Sequence, residues 1–211
     1  MESDVGGNRL REAPHRLSSI CLKAERMLDT TIDGFVRHSD KKMKEAEELG
    51  DEILRDGKEL TSFLVGISSE TKEDKERLKK VVAVANQLQM VGEALKTMLP
   101  IVRNKIKEDI LFSNKAIEEL KYLFENTRKI LTSAGDVFLT RNPLLVKYVL
   151  EEGAYLNEVG DNYAIEHEDR IISGVCVPKA SPLYISILDC LARVNRHTMR
   201  AVDAFFSAKK D

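Results

Sequence analysis

Apolar residues recur along almost the whole chain at the three- and four-residue spacing of one helix face, and no stretch alternates with the period of two that a strand requires. The clearest seam is Val81, Val84, Leu88, Val91, Leu95 and Met98, a straight line along one side of a helix that must pack laterally against others. A second runs through Ala46, Leu49, Ile53, Leu60, Leu64 and Ile67, passing over Gly57, and a third through Leu145, Val149, Leu156, Val159 and Tyr163. Punctuation falls between the periodic segments. Ser113 suits a helix N-cap, Asn142-Pro143 reads as a stop and restart with Pro143 in the first turn, and Pro100 is expected to end or kink its helix. The pattern predicts an all-α protein, a six-helix bundle.

Self-comparison supports an internal duplication. Laying Phe35 on Phe138 also lays Lys44 on Lys147, Gly50 on Gly153, Val84 on Ile187, Leu88 on Leu191 and Val91 on Val194. The rival pairing of ELGD, residues 48–51, with EVGD, residues 158–161, requires a different shift and is set aside as coincidence. One domain over residues 1–211 is expected, with repeat one at about 14–100 and repeat two at about 113–208. Three helices fall in each repeat, at roughly 14–38, 40–68 and 71–98, then 113–141, 143–173 and 181–208.

Composition narrows the class. The 33 Lys and Arg against 35 Asp and Glu give a net charge of -2 and a pI near 6.2, without the basic excess of many nucleic-acid binders. Cys21, Cys176 and Cys190 form no CxxC pair and no zinc spacing, which fits a reducing cytoplasm. The N-terminal stretch has no apolar signal core, and no run approaches the roughly 18 apolar residues of a membrane span. A cytoplasmic protein without direct membrane insertion is expected.

Two stretches, VANQLQMVGEALKTM (residues 84–98) and ILDCLARVNRHTM (187–199), each resemble the PhoU-family helix that carries a Glu-Arg-Ile-Gly-Asp type motif. KIKEDILFSNKAIEEL (105–120) and HEDRIISGVCVPKASPLYISILDCL (167–191) are similar to the PhoU-like cytoplasmic domain of bacterial sodium-dependent phosphate cotransporters. The resemblance spans about residues 20–206. It implies two PhoU-like three-helix repeats and a non-catalytic regulatory role in phosphate uptake, with a phosphate transporter or sensor kinase as partner. It also implies a capacity for divalent or iron-type metal on acidic helix faces, where carboxylates four residues apart reach one cation.

Carried onto this chain, the motif acids fall at Gln89 and Glu93 in repeat one and at Ala192 and Arg196 in repeat two, so three of four carboxylates are missing. Arg193, Arg196 and Arg200 place cations on or near that outward face of the last helix. The remaining candidate metal ligands are Glu48, Asp51, Glu52 and Glu93. Pairing of Asp51 with Arg55, and of Arg55 with Glu59, accounts for the same stretch as a solvated, salt-bridged surface.

Glu152 falls on the apolar seam of its helix, as do Glu166 and Arg170, and buried charges need partners. His167 and Arg170 match the His-x-x-Arg-Leu pattern of the cotransporter domain, with Ile171 in place of Leu. The set Glu152, His167, Arg170 and His197 reads either as a polar network fixing helix register or as a docking contact. No phosphate loop, HExxH, nucleophile elbow or Glu-x-x-His pair is present, and Cys176 sits in a loop as a thiol with no recognisable base. No enzyme activity is expected. A phosphate regulator acting by protein docking stands against a helical interaction or oligomerisation scaffold with no phosphate role, and homo-oligomers suit either.

Overall fold

The computed structural model describes residues 3–67 and 72–207, with side chains described from Leu10 onward apart from Glu73. Among them run six α-helices and no strand: α1 (Ser3–Arg37), α2 (Asp40–Val65), α3 (Lys72–Lys107), α4 (Asn114–Thr140), α5 (Pro143–Ile172) and α6 (Ser181–Phe206). A single 3-10 turn, Pro178–Ala180, precedes α6. Residues 68, 71 and 208, where three expected helices begin or end, lie outside the described residues.

The expected caps form. Ser113 Oγ accepts from Ala116 N at 3.3 Å, and Asn142 Oδ1 accepts from Leu144 N at 2.9 Å with Pro143 opening α5. Two expected boundaries do not hold. The first helix starts well before residue 14 and carries Pro14 inside it, and α3 continues through Pro100 to Lys107. Pro100 is exposed and lacks only one amide donor, while Met98, Leu99 and Val102 around it are buried. The burial of those neighbours outweighs one lost backbone bond.

The helices form two layers. One has the order α2, α3, α6, α5, and the other is α1 beside α4, with α1 packed on α2 and α3 and α4 on α5 and α6. Buried residues from all six helices join in one core, including every member of the first two seams. In the third seam Val149 and Leu156 are buried and the others half-buried. Exchanging α1 with α4, α2 with α5 and α3 with α6 reproduces the arrangement, the internal symmetry that the repeat requires.

One detail fixes the register of that symmetry. A Cβ on Gly50 would lie 2.8 Å from the Lys96 side chain, and a Cβ on Gly153 would lie 2.7 Å from the Met199 side chain. The shift that lays Gly50 on Gly153 also lays Lys96 on Met199. Each repeat thus brings its second and third helices into close approach over an equivalent glycine.

Candidate functional site

The positions to which the sequence resemblance assigns motif acids lie on α3 and α6 of the α2-α3-α6-α5 layer. Glu93 and Arg196 are exposed, while Gln89 packs over Gly57 and Ala192 is half-buried. Asp51 Oδ1 accepts from Lys96 Nζ at 2.5 Å, so its ion pair crosses to α3 rather than running to Arg55 within α2. Glu52 lies 2.8 Å from Lys23 Nζ, which also donates to Asp56 at 2.8 Å. That lysine holds the Glu52 carboxyl below its usual range, and the hydrogen bonds it donates to Asp56 and Glu52 raise the Lys23 pKa. Glu48 is exposed on the same helix. Among the described residues no group of three or more His, Cys, Asp or Glu side chains is placed to hold a metal ion. With Lys96 and Lys23 occupying the acids and Arg196 at a motif position, the donor set does not fit a cationic cluster.

On α6 the arginines crowd one side. Arg193 Nε lies 3.1 Å from Asp189, and Arg196 and Arg200 are exposed. His197 Nδ1 is 2.9 Å from Gln87 Oε1 on α3, tying the two central helices of the layer together in antiparallel register. Burial depresses the His197 pKa, and Arg200, Arg196 and Arg193 depress it further.

The built polar cluster of this molecule lies elsewhere, under the junction of α4, α5 and α6. Glu119 on α4 has a side chain 1% exposed and accepts two bonds from Arg170, Nη1 at 3.0 Å and Nη2 at 2.8 Å. The Tyr184 hydroxyl donates to Glu119 Oε2 at 2.5 Å. Burial raises the Tyr184 pKa, and its bond to Glu119 raises it further. His167 stacks on the Tyr184 ring at 4.4 Å between centroids, and neither of its ring nitrogens has a protein partner. Glu166, expected on the inward seam, is exposed and lies 3.7 Å from Arg170 on the outer side. Glu152 is half-buried and faces Tyr122 on α4, whose hydroxyl pKa is raised by burial first, then by Tyr155 and Glu152.

Glu119 was the residue to look for in the sequence. It stands three residues after buried Ala116 and four before buried Leu123, so an acid occupies an inward position of a periodic helix. Lys105 is a second inward-facing charge. It is 5% exposed, donates to the Phe35 carbonyl at 3.2 Å, contacts His38 Nε2, and lies 4.7 Å from the Phe35 ring centroid. Burial lowers its pKa.

Beside the polar cluster is a small, partly open cavity of about 10 Å³ lined by His167, Tyr184, Phe112, Cys176 and the start of α4. The Cys176 thiol is buried against it, with Sγ 3.8 Å from Ser113 Oγ. The loop folds back because the amides of Val175 and Cys176 both donate to the Arg170 carbonyl, at 2.9 and 3.1 Å.

The two partly enclosed histidines set a pH dependence. Burial, then Arg170, lowers the His167 pKa, so the unfolded chain binds protons that the folded chain rejects. The stabilisation is fully present above the ordinary histidine value near 6.5 and is lost as pH falls below it toward the depressed folded values. The free energy of unfolding from urea titrations is therefore expected to drop between pH 7.5 and 5.5, by up to about 1.4 kcal/mol per pH unit for each histidine. His167→Leu should flatten the dependence; an unchanged slope in that variant would count against this origin.

Two layers of antiparallel helices, in which one three-helix unit repeats the arrangement of the other, define the class of duplicated helical bundles. The fold is that of PhoU. The crystal structure of PhoU from Pseudomonas aeruginosa superposes with a TM-score of 0.85 over 96% of this chain and 97% of that one, at 13% sequence identity. At that identity the likeness is one of fold. No family model matches the sequence, and no curated protein matches it.

Proposed function

We propose that this chain is a non-enzymatic cytoplasmic regulator of phosphate uptake or phosphate signalling, which works by docking on a phosphate transporter or sensor kinase. The observation that carries this reading is the PhoU fold over nearly the full length of both chains. No helix among the described residues is long and apolar enough to cross a membrane, and action on transport by docking on a partner agrees with that. The surface chemistry agrees with that division of labour. The polar clusters are ion-paired structural groups, and the exposed charge lies on helix faces suited to a protein partner.

The test is deletion of the gene in its own cells, with phosphate uptake and a phosphate-starvation reporter read at high and low phosphate. The reporter is expected to lose at least half of its response to external phosphate, and the full-length gene should restore it. A reporter and an uptake rate that both remain unchanged would overturn the phosphate role in favour of a general helical scaffold.

A further inference from the structure

At one end of the bundle the link between α3 and α4 meets the link between α5 and α6, held by Lys179 Nζ at 3.4 Å from Glu108 and by the shared cavity that Leu111 and Val177 line. Four large apolar side chains point outward there: Ile172 is 85% exposed, Leu111 69%, Val175 66% and Val177 57%. Apolar patches with a polar rim on a soluble surface mark interaction sites.

The patch is held rigid from beneath. Gly174 has φ +69° and ends α5 with a pair of backbone bonds, Gly174 N to Ile171 O at 3.0 Å and Val175 N to Arg170 O at 2.9 Å. In this termination the residue in the place of Val175 ordinarily packs its apolar side chain back on the helix. Here it stands in solvent. Arg170, whose carbonyl receives the turn, is itself clamped by Glu119, so the exposed prong needs little further ordering to bind.

The rim decides the partner's chemistry. On the α5 side Glu166, Glu168 and Asp169 are all exposed; the nearby cation, Arg170, pairs closely with Glu119 beneath and lies 3.7 Å from Glu166, so one guanidinium stands against three rim carboxylates while already engaged by a buried one. Across the tip Lys179 is engaged by Glu108 and Lys115 stands 3.8 Å from Glu119, leaving Lys107 as a further exposed cation against the exposed acids of α5 and Asp109. An acidic rim repels an anionic lipid surface and a second copy of the same tip, and attracts Lys or Arg.

We infer that this tip is the docking surface of the regulator, and that it inserts Ile172 and Val175 into an apolar pocket of a partner protein edged by Lys or Arg. The inference rests on the docking role proposed above and specifies its contact. The test places the photoreactive residue p-benzoylphenylalanine at Val175, or at Leu144 on another exposed site as control, in the cells that make the protein. Mass spectrometry then identifies the crosslinked peptide. Expected is a product from position 175, absent from 144, whose partner peptide combines apolar residues with Lys or Arg. Adding Ile172→Asp should lower its yield at least tenfold while the urea midpoint stays unchanged.

No protein product at 175, an equal product at 144, or a second copy of this chain as the product would overturn the inference. So would Ile172-dependent sedimentation with vesicles of phosphatidylglycerol and phosphatidylethanolamine. A partner of the stated chemistry that is neither a phosphate transporter nor a sensor kinase would uphold the tip and remove the phosphate role.

Discussion

Glu119→Ala is expected to lower the free energy of unfolding by about 3–5 kcal/mol, the cost of removing one member of a buried ion pair. The carboxylate accepts two bonds from Arg170 and one from Tyr184, and its own side chain is 1% exposed. Its removal leaves a guanidinium only 15% exposed without its main counter-charge and strands a fully buried phenol. Lys115, 3.8 Å away on the solvent side, can follow water and adds little. The measurement is urea unfolding followed by helical circular dichroism. The triple variant Glu119→Leu, Arg170→Met, Tyr184→Phe should recover most of the loss, since apolar groups of similar volume replace the whole network at little cost. A single-variant loss below about 1 kcal/mol would show that the cluster is not the buried anchor described here.

Phe138→Ala is the second large effect, again about 3–5 kcal/mol, through lost burial and the cavity it leaves. Phe138 is 1% exposed on α4 and meets Phe205 of α6 edge-on, with ring centroids 5.0 Å apart at 81°. The Arg141 guanidinium covers the other partner, 4.6 Å from the Phe205 centroid, so the layer contact is sealed on its solvent side. A double-mutant cycle with Phe205→Ala should show about 0.5–1.5 kcal/mol of coupling. Leu144→Ala, 74% exposed, should fall within about 0.5 kcal/mol of the parent and provides the baseline. Equal losses at Phe138 and Leu144 would refute the core assignment.

The fold could be read from the chain because its signals are local and periodic. Helical seams, caps at Ser113 and Asn142, and a constant shift between halves all report on neighbours within a few residues or on direct self-similarity. Pro100 does not end its helix because it acts on a single backbone bond, whereas continuation is decided by the tertiary burial around it, and Pro14 inside α1 is carried in the same way. Sites were harder. Asp51 and Glu52 have plausible partners within their own helix, yet the lysines that engage them come from α3 and α1, which no spacing within α2 reveals. Arg170 needed an acid, and the acid is Glu119, far away in sequence and brought beside it only by packing of α4 on α5. Exposure of the apolar tip is likewise a property of the assembled end, because Val175 sits one residue past a turn whose hydrophobic position is normally buried.

The 36-residue α3 is about 54 Å long and runs the length of the bundle, from the apolar tip at its C-terminal end to the end where Arg77 lies near Arg141. The screening length at physiological salt is about 8 Å, several times shorter than that rod. A charge bound at one end is therefore electrostatically invisible at the other. Any coupling between the two ends must travel as displacement of packed helices.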